Sequence, residues 1–492
     1  MSVEIDVLSS PEWVSRLSPK SPHELPKVRQ LYLALYEAIT QGELIDGQQL
    51  PSSRHLSALL GVGRNTIIAV YAQLQDEQLI NTNGRRGTRV TCDLAKESPN
   101  IDLIDPDEST FLSERSSTMK GVSRSDTVLA PGVPDTELFP VDAWRRAMSC
   151  AAKLPTDDLG YRESALPQLQ HAIARYLAIY RSLVVDPEQV IVTSSTRQSL
   201  ALAAMMYANN GDVAWMESPG YPGAVDAFRM MGLNLCAMTI DSQGANPELS
   251  AIKKHPSIIY LTPCFQYPSG VPLSAERRKE LLIYARSHGA VIFEDDYDSE
   301  FRDASQARPA LASSSAKTGA VVLHAGTFSK LIFPAARIAW LVVPKSHVNR
   351  SNHCLKALGG GSNAIAQATV AEVLSNGTLA KHLQRARMVY TQRRQALLTE
   401  LRKVSFIYPP EDTGGSLSLV VRFRKAFSAK LLLPKLQEHK LGVQFVDELT
   451  WDQPATDKVH GLVLGLGNVS TLDMPKTVHV LNTVLQQARG SN

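Results

Sequence analysis

Lys330 closes the run His324-Ala325-Gly326-Thr327-Phe328-Ser329-Lys330, and Arg337 follows seven residues later. An amine beside hydroxyls and a guanidinium can hold a carbonyl compound as an imine while a phosphate rests on the neighbouring donors. That chemistry needs four more groups: a carboxylate to keep a ring nitrogen protonated, a hydroxyl near a phenolic oxygen, an aromatic plate, and further phosphate donors. Glu294-Asp295-Asp296-Tyr297 follows an apolar run, which puts a carboxylate and a phenol at a strand end. Glu217-Ser218-Pro219-Gly220-Tyr221-Pro222-Gly223 can aim Tyr221 at a ring, and Thr193-Ser194-Ser195-Thr196 leads into an apolar helix with amides and hydroxyls to offer. Alone, each fragment reads as a solvated turn, a β-turn or a surface lysine. As a set they suit pyridoxal 5'-phosphate.

A second set lies far upstream. Arg64, Asn65 and Thr66 open a helix at its exposed N-terminal end, where donors can enter a major groove. Ser53 and Arg54 precede them, and Arg85, Arg86 and Gly87 sit in a turn flanked by short apolar runs. The alternative for such a module is a winged helix used for protein contacts.

The elements that must position these residues follow from periodicity. Val28, Leu31, Leu35 and Ile39 mark the inner face of a first helix closed by Gly42, and Pro51-Ser52-Ser53 opens a second with a serine cap. Gly61-Val62-Gly63 is the turn into a third helix from Arg64 to about Gln75, with Ile67, Val70, Tyr71 and Leu74 facing inward. Leu79-Ile80 and Thr88-Arg89-Val90 pair as a hairpin, with Arg85 and Arg86 at its tip. Residues 93–126 are rich in acids and carry no apolar period, so they read as a solvated linker. Beyond them, β-branched runs at 189–193, 212–216, 257–262, 290–294, 320–324 and 337–343 alternate with helical stretches, the pattern of a parallel sheet with helices on both faces.

Composition bounds the rest. At 492 residues, with 44% apolar and 20% charged positions, the chain is globular and too long for one core. A net charge of +3 excludes a strong overall field, and residues 20–91 hold eight basic and six acidic residues, so specific DNA binding needs two copies on one operator. Five scattered cysteines argue against a disulfide framework, and the histidines show no ligand spacing, so no metal is assigned. The acidic, proline-broken start is unlike a signal peptide and no run of about 18 apolar residues occurs, which points to a cytoplasmic protein with no membrane role.

The stretch LPSSRHLSALLGVGRNTIIAVYAQLQDEQLINTNGRRGTRV resembles the winged helix-turn-helix of the GntR family. The resemblance implies DNA contacts from Arg54, Arg64 and Gly87, with Ser53, Asn65, Thr66, Arg85 and Arg86 in place to help. APGVPDTELFPVDAW, ESPGYPG, FEDDYDSEFR, GTFSKLIFPAARIAW and HGLVLGLGNVS resemble the fold type I aminotransferases over about residues 128–470. A winged GntR head on such a body is the plan of the MocR family of bacterial transcription regulators. The roles implied are Lys330 for the imine, Asp295 for the pyridine nitrogen, Tyr297 for the phenolic oxygen and Tyr221 for stacking. Ser195, Thr196, Thr327 and Arg337 bind phosphate, and Tyr161 reaches the phosphate of the partner subunit.

Three departures stand out. Ser195 and Arg197 replace the glycine and glutamine frequent in the phosphate turn, the glycine usual after the tyrosine at 161 is missing, and residues 459–467 lack the arginine that clamps a substrate α-carboxylate. Lys381, Arg385, Arg387, Arg393 and Arg394 read as a solvated helix face rather than a second DNA patch.

The expectation is an α/β protein: a winged helix over 1–92, an acidic linker over 93–127, and over 128–492 an aminotransferase-like body with a mainly parallel sheet and a small C-terminal α+β subdomain. It is expected to act as a homodimeric regulator of a double-stranded DNA operator that senses pyridoxal phosphate or an amine or amino-acid adduct of it. The alternative is a working aminotransferase with a DNA-binding head, disfavoured by the missing arginine.

Overall fold

The computed structural model describes residues 11–17, 26–83, 87–91, 127–160, 162, 164–247, 254–302, 308–412, 414, 416–454 and 456–490. They divide into two compact units, residues 1–115 and 116–492. Most of the expected linker, 93–126, lies outside the described residues, as do Arg85, Arg86 and Tyr161.

In the first unit the expected helices form over Lys27–Thr40, Ser53–Leu60 and Arg64–Asp76, after a short one over Pro11–Leu17. Ser52 caps the second long helix, its hydroxyl accepting from the His55 amide at 3.2 Å, and Gly61 ends it with φ 60°. Leu31, Leu35, Ile39, Leu56, Ile67, Val70 and Leu74 make one core, and the Tyr71 hydroxyl ties the third helix to the Pro51 carbonyl at 2.9 Å. The wing pairs Ile80–Asn83 with Gly87–Val90 from Ile80↔Val90 to Asn83↔Gly87. A strand absent from the sequence reading, Gln49–Leu50, adds to its other side through Gln49↔Arg89 and Leu50↔Thr88.

The second unit is built on an eight-stranded sheet in the order Val190–Thr193, Ala339–Val342, Val321–Thr327, Val291–Asp296, Ile258–Leu261, Val213–Glu217, Asn234–Asp241, Gly244–Asn246. Its centre is parallel, with registers such as His324↔Glu294 and Leu261↔Glu294. Ala339–Val342 instead runs antiparallel to both neighbours. Only eleven residues separate it from the preceding strand, fewer than a parallel crossover needs. Apolar layers cover both faces, one around Ile292, Trp340 and Phe328 and the other around Phe293, Tyr260 and Phe228. The C-terminal part packs a three-stranded antiparallel sheet, Ser418–Ser428, Lys458–Gly465 and Gln444–Phe445, against the helices Ala429–Glu438 and Met474–Gly490. The chain thus joins a winged helix to a mainly parallel α/β body with a small α+β portion. No helix among the described residues is long and apolar enough to cross a membrane.

Candidate functional site

Side chains alternate across a strand, and on Val291–Asp296 this separates three consecutive acids. Glu294 and Asp296 share one face with Ile292, and Asp295 turns to the other with Phe293. Glu294 accepts the Leu311 and Ala312 amides at 2.6 and 2.8 Å. Asp296 is ion-paired with Arg181, itself 3% exposed, and lies 3.2 Å from His324 Nε2. Burial alone would raise Asp296, but the Arg181 guanidinium and the His324 hydrogen bond hold its carboxyl well below the ordinary range.

Asp295 has no such cation in contact. Tyr260 donates to its Oδ2 at 2.9 Å, while its buried Oδ1 has no hydrogen-bond partner among the described residues. Burial pushes this carboxyl up to about 7 against the Tyr260 hydrogen bond.

The cavity that Asp295 enters is also lined by Lys330, Tyr297, Tyr221, Thr196 and Thr327. Six of the sequence-predicted residues, from four separate strand ends, therefore meet. Lys330 rides on the short helix Phe328–Leu331, which Thr327 caps by accepting the Ser329 amide at 3.1 Å, and its ammonium donates to the Gly132 carbonyl. Glycine is required at 326 because a Cβ there would stand 2.2 Å from the Trp340 indole. Tyr221, Tyr267 and Tyr297 form an edge-to-face series, with centroids 6.3 and 6.2 Å apart. Burial pushes the Tyr297 phenol well above its usual value, so it stays a neutral donor, here to the Phe265 carbonyl at 3.2 Å.

Ser195 and Arg337 stand outside the lining. Ser195 caps the helix Thr196–Tyr207 through the Gln198 amide at 3.3 Å, which leaves Thr196 on the cavity wall at a helix N-terminus. Arg337 is exposed, with φ 50°, and its carbonyl accepts from Ser362. Arg197 is exposed and faces Asp226 at 3.8 Å. The wall also includes Gly132, Tyr260, Thr262, Tyr267, Asp298 and Ser418, which sequence reasoning did not assign. Tyr267 was within reach, since Tyr267-Pro268-Ser269-Gly270 repeats the aromatic-turn pattern at Tyr221. Tyr260 and Ser418 lie in strands and give no such signal.

One reading requires correction. Arg393 and Arg394 do not lie on a solvated face: they are 8% and 4% exposed. Arg393 binds Asp135 and the Gly467 carbonyl, each at 2.5 Å, and Arg394 binds the Ser416 carbonyl. Carbonyls at the ends of the small sheet need donors, and guanidinium forks provide them. Lys381 and Arg385 of the same helix, Thr378–Leu401, are exposed as expected.

In the winged unit, Arg54, Arg64, Asn65 and Gly87 are exposed, and Ser53 and Thr66 half-buried. Gly87 has φ 79°, and a Cβ there would meet the Gln49 amide at 3.1 Å, so its left-handed backbone and the neighbouring strand Gln49–Leu50 both favour glycine.

Residues 27–90 match the family model of bacterial regulatory proteins, gntR family, and residues 125–448 that of aminotransferase class I and II. The chain is 30% identical to the probable rhizopine catabolism regulatory protein MocR of Rhizobium meliloti, over 94% of each chain. It is 33% identical to the pyridoxine biosynthesis transcriptional regulator PdxR of Corynebacterium glutamicum, over 77% of this chain and 79% of the relative. Among solved structures it resembles LysN, the α-aminoadipate aminotransferase of Thermus thermophilus, with TM-score 0.67 and 23% identity over 76% of this chain and 96% of that one. Two matched models in this order, and a relative aligned along nearly its whole length, establish that the chain belongs to the MocR family, in which a GntR winged helix-turn-helix precedes an aminotransferase class I and II body.

Proposed function

We propose that this protein is a transcription regulator that binds a duplex operator through its winged helix, as a homodimer, and reads pyridoxal 5'-phosphate or an amine adduct of it in the cavity around Lys330. When bound, the cofactor supplies an activated carbonyl and a sink for electrons. The observation that carries the reading is the buried, unpartnered Oδ1 of Asp295 on the same cavity wall as the Lys330 amine. A protonated ring nitrogen is the donor that this oxygen lacks, and the charge it brings offsets the burial that raises the carboxyl.

The other residues fit the same group. Tyr297 offers a neutral hydroxyl to the phenolic oxygen, and Tyr221 a face for the ring. Thr196 and Thr327 on the cavity wall, with Ser195 and Arg337 from outside it, serve the phosphate, aided by the N-terminus of Thr196–Tyr207. Tyr161 completes the phosphate site of the partner subunit. On the winged unit, Ser53, Arg54, Arg64, Asn65, Thr66, Arg85, Arg86 and Gly87 contact DNA. The link between the sites is a coupling free energy: occupancy of the cavity changes how two heads fit an operator. The relatives support the regulatory half, since MocR and PdxR are both named as regulators.

Titrating the purified chain with pyridoxal 5'-phosphate should raise an absorption band near the visible edge. Lys330→Ala should lose that band while keeping the wild-type far-ultraviolet circular dichroism, since only the covalent link is removed. A parental spectrum in the variant would refute the assignment of Lys330.

A further inference from the structure

The exposed face of the helix Arg64–Asp76 carries little charge. Its single basic residue is Arg64, at the first position, and Asn65, Ile68, Ala69, Ala72 and Gln75 face solvent while Ile67, Val70, Tyr71 and Leu74 are buried. Two adjacent isoleucines have opposite surroundings: Ile67 is 0% exposed and Ile68 is 45% exposed. The core is therefore complete without Ile68. Ile68 thus places a β-branched apolar side chain on the solvent face of the helix that begins with Arg64, Asn65 and Thr66.

Positions 65, 68, 69 and 72 are spaced i, i+3, i+4, i+7 and form one stripe down the helix. Arg64 and Asn65 supply donors at its start, and the small Ala69 and Ala72 let a partner approach Ile68 closely. One isoleucine beside two alanines is too small for the aromatic, well-packed centre of a protein interface. It matches the one apolar group that a base pair shows in the major groove, the 5-methyl of thymine.

We propose that Ile68, flanked by Ala69 and Ala72, reads a thymine by contact with its 5-methyl group, and so sets the sequence preference of each half-site. The inference rests on the DNA-binding reading above. It gives the head a base-specific contact that needs no charge, in a module with few cations to spend on phosphates.

The test uses the full-length chain and the duplex it enriches from a randomised pool. Each thymine of that duplex is replaced in turn by deoxyuridine, which removes the methyl and keeps the pairing. At one position per half-site the replacement should weaken binding about three- to fivefold, the worth of one buried methyl. Ile68→Ala, a change at an exposed position, should weaken binding to the parent duplex by a similar factor and be indifferent to deoxyuridine at that position. If no thymine is methyl-sensitive, or Ile68→Ala keeps the same sensitivity, the proposal is overturned, and the stripe is left to a protein contact. If no duplex is enriched at all, the DNA-binding reading falls with it.

Discussion

Glu294, Asp295 and Asp296 show how backbone alternation gives three neighbouring acids three environments. Asp296 has Arg181 and His324, Glu294 has two amides, and Asp295 has one phenol and no cation in contact among the described residues. The sign of the resulting pH dependence follows from Asp295 rising from 3.8 to about 7. Below about pH 4 the carboxyl is protonated whether the chain is folded or not, and its contribution to stability is fully present. Between about pH 4 and 7 the folded state keeps a proton that the unfolded chain releases, so stability falls as pH rises through this window. Glu217 and Asp298, also buried and pushed up to about 7, act in the same direction. Asp296, held low, acts oppositely, and its share is lost only as pH drops below about 4. Asp295→Asn, which cannot ionise, should therefore shrink the loss of stability between pH 5 and pH 8 by roughly 2–3 kcal/mol in the cofactor-free protein. Denaturant unfolding at the two pH values measures it, and an unchanged difference would show that the Asp295 carboxyl is not held up by burial.

At the scale of elements, the Lys330 turn depends on the strand beside it. Val321–Thr327 and Ala339–Val342 pair so that Gly326 lies opposite Trp340, an indole with 1% exposure. A methyl at 326 must displace that indole or the backbone leading to Thr327 and Lys330. Gly326→Ala should cost the body about 1–3 kcal/mol by overpacking and reduce its occupancy by pyridoxal phosphate at limiting concentration. Wild-type stability and wild-type spectral titration together would mean that the contact is easily relieved. The helix Thr378–Leu401 makes the complementary point: its basic residues divide between solvent and deep ion pairs, which charge spacing alone could not separate.

For the whole molecule the question is regulator or enzyme. Transamination must hold the α-carboxylates of two successive substrates in one orientation, and a bidentate guanidinium is the usual means. The strand Lys458–Gly465 and the two residues after it carry no arginine, and Arg393, which reaches the end of this segment, is committed to Asp135 and the Gly467 carbonyl. Some amines should therefore perturb the cofactor spectrum, whereas common pairs of amino acid and 2-oxo acid should give negligible turnover. Sustained turnover of about 1 per second or faster would instead identify a working aminotransferase. Such an assay separates catalysis from sensing because the spectral response to an amine requires no second substrate.

Periodicity, caps and glycine turns determined the three long helices of the winged unit, its wing and the central strands of the body, because these depend on neighbours within a few residues. The positions of Lys330, Asp295, Tyr297, Tyr221, Thr196 and Thr327 at or just after recognisable strands were legible locally, whereas their roles were what the family resemblance implied. Tertiary structure decided what depends on distant chain: the added strand Gln49–Leu50, the antiparallel course of Ala339–Val342, and the burial of Arg393 and Arg394. It also decided that Asp295 faces the cavity with one oxygen open while Asp296 is neutralised behind it by Arg181, 115 residues away in the chain. Sequence names two adjacent acids; only the packing of a remote helix against one face of the strand makes them chemically different.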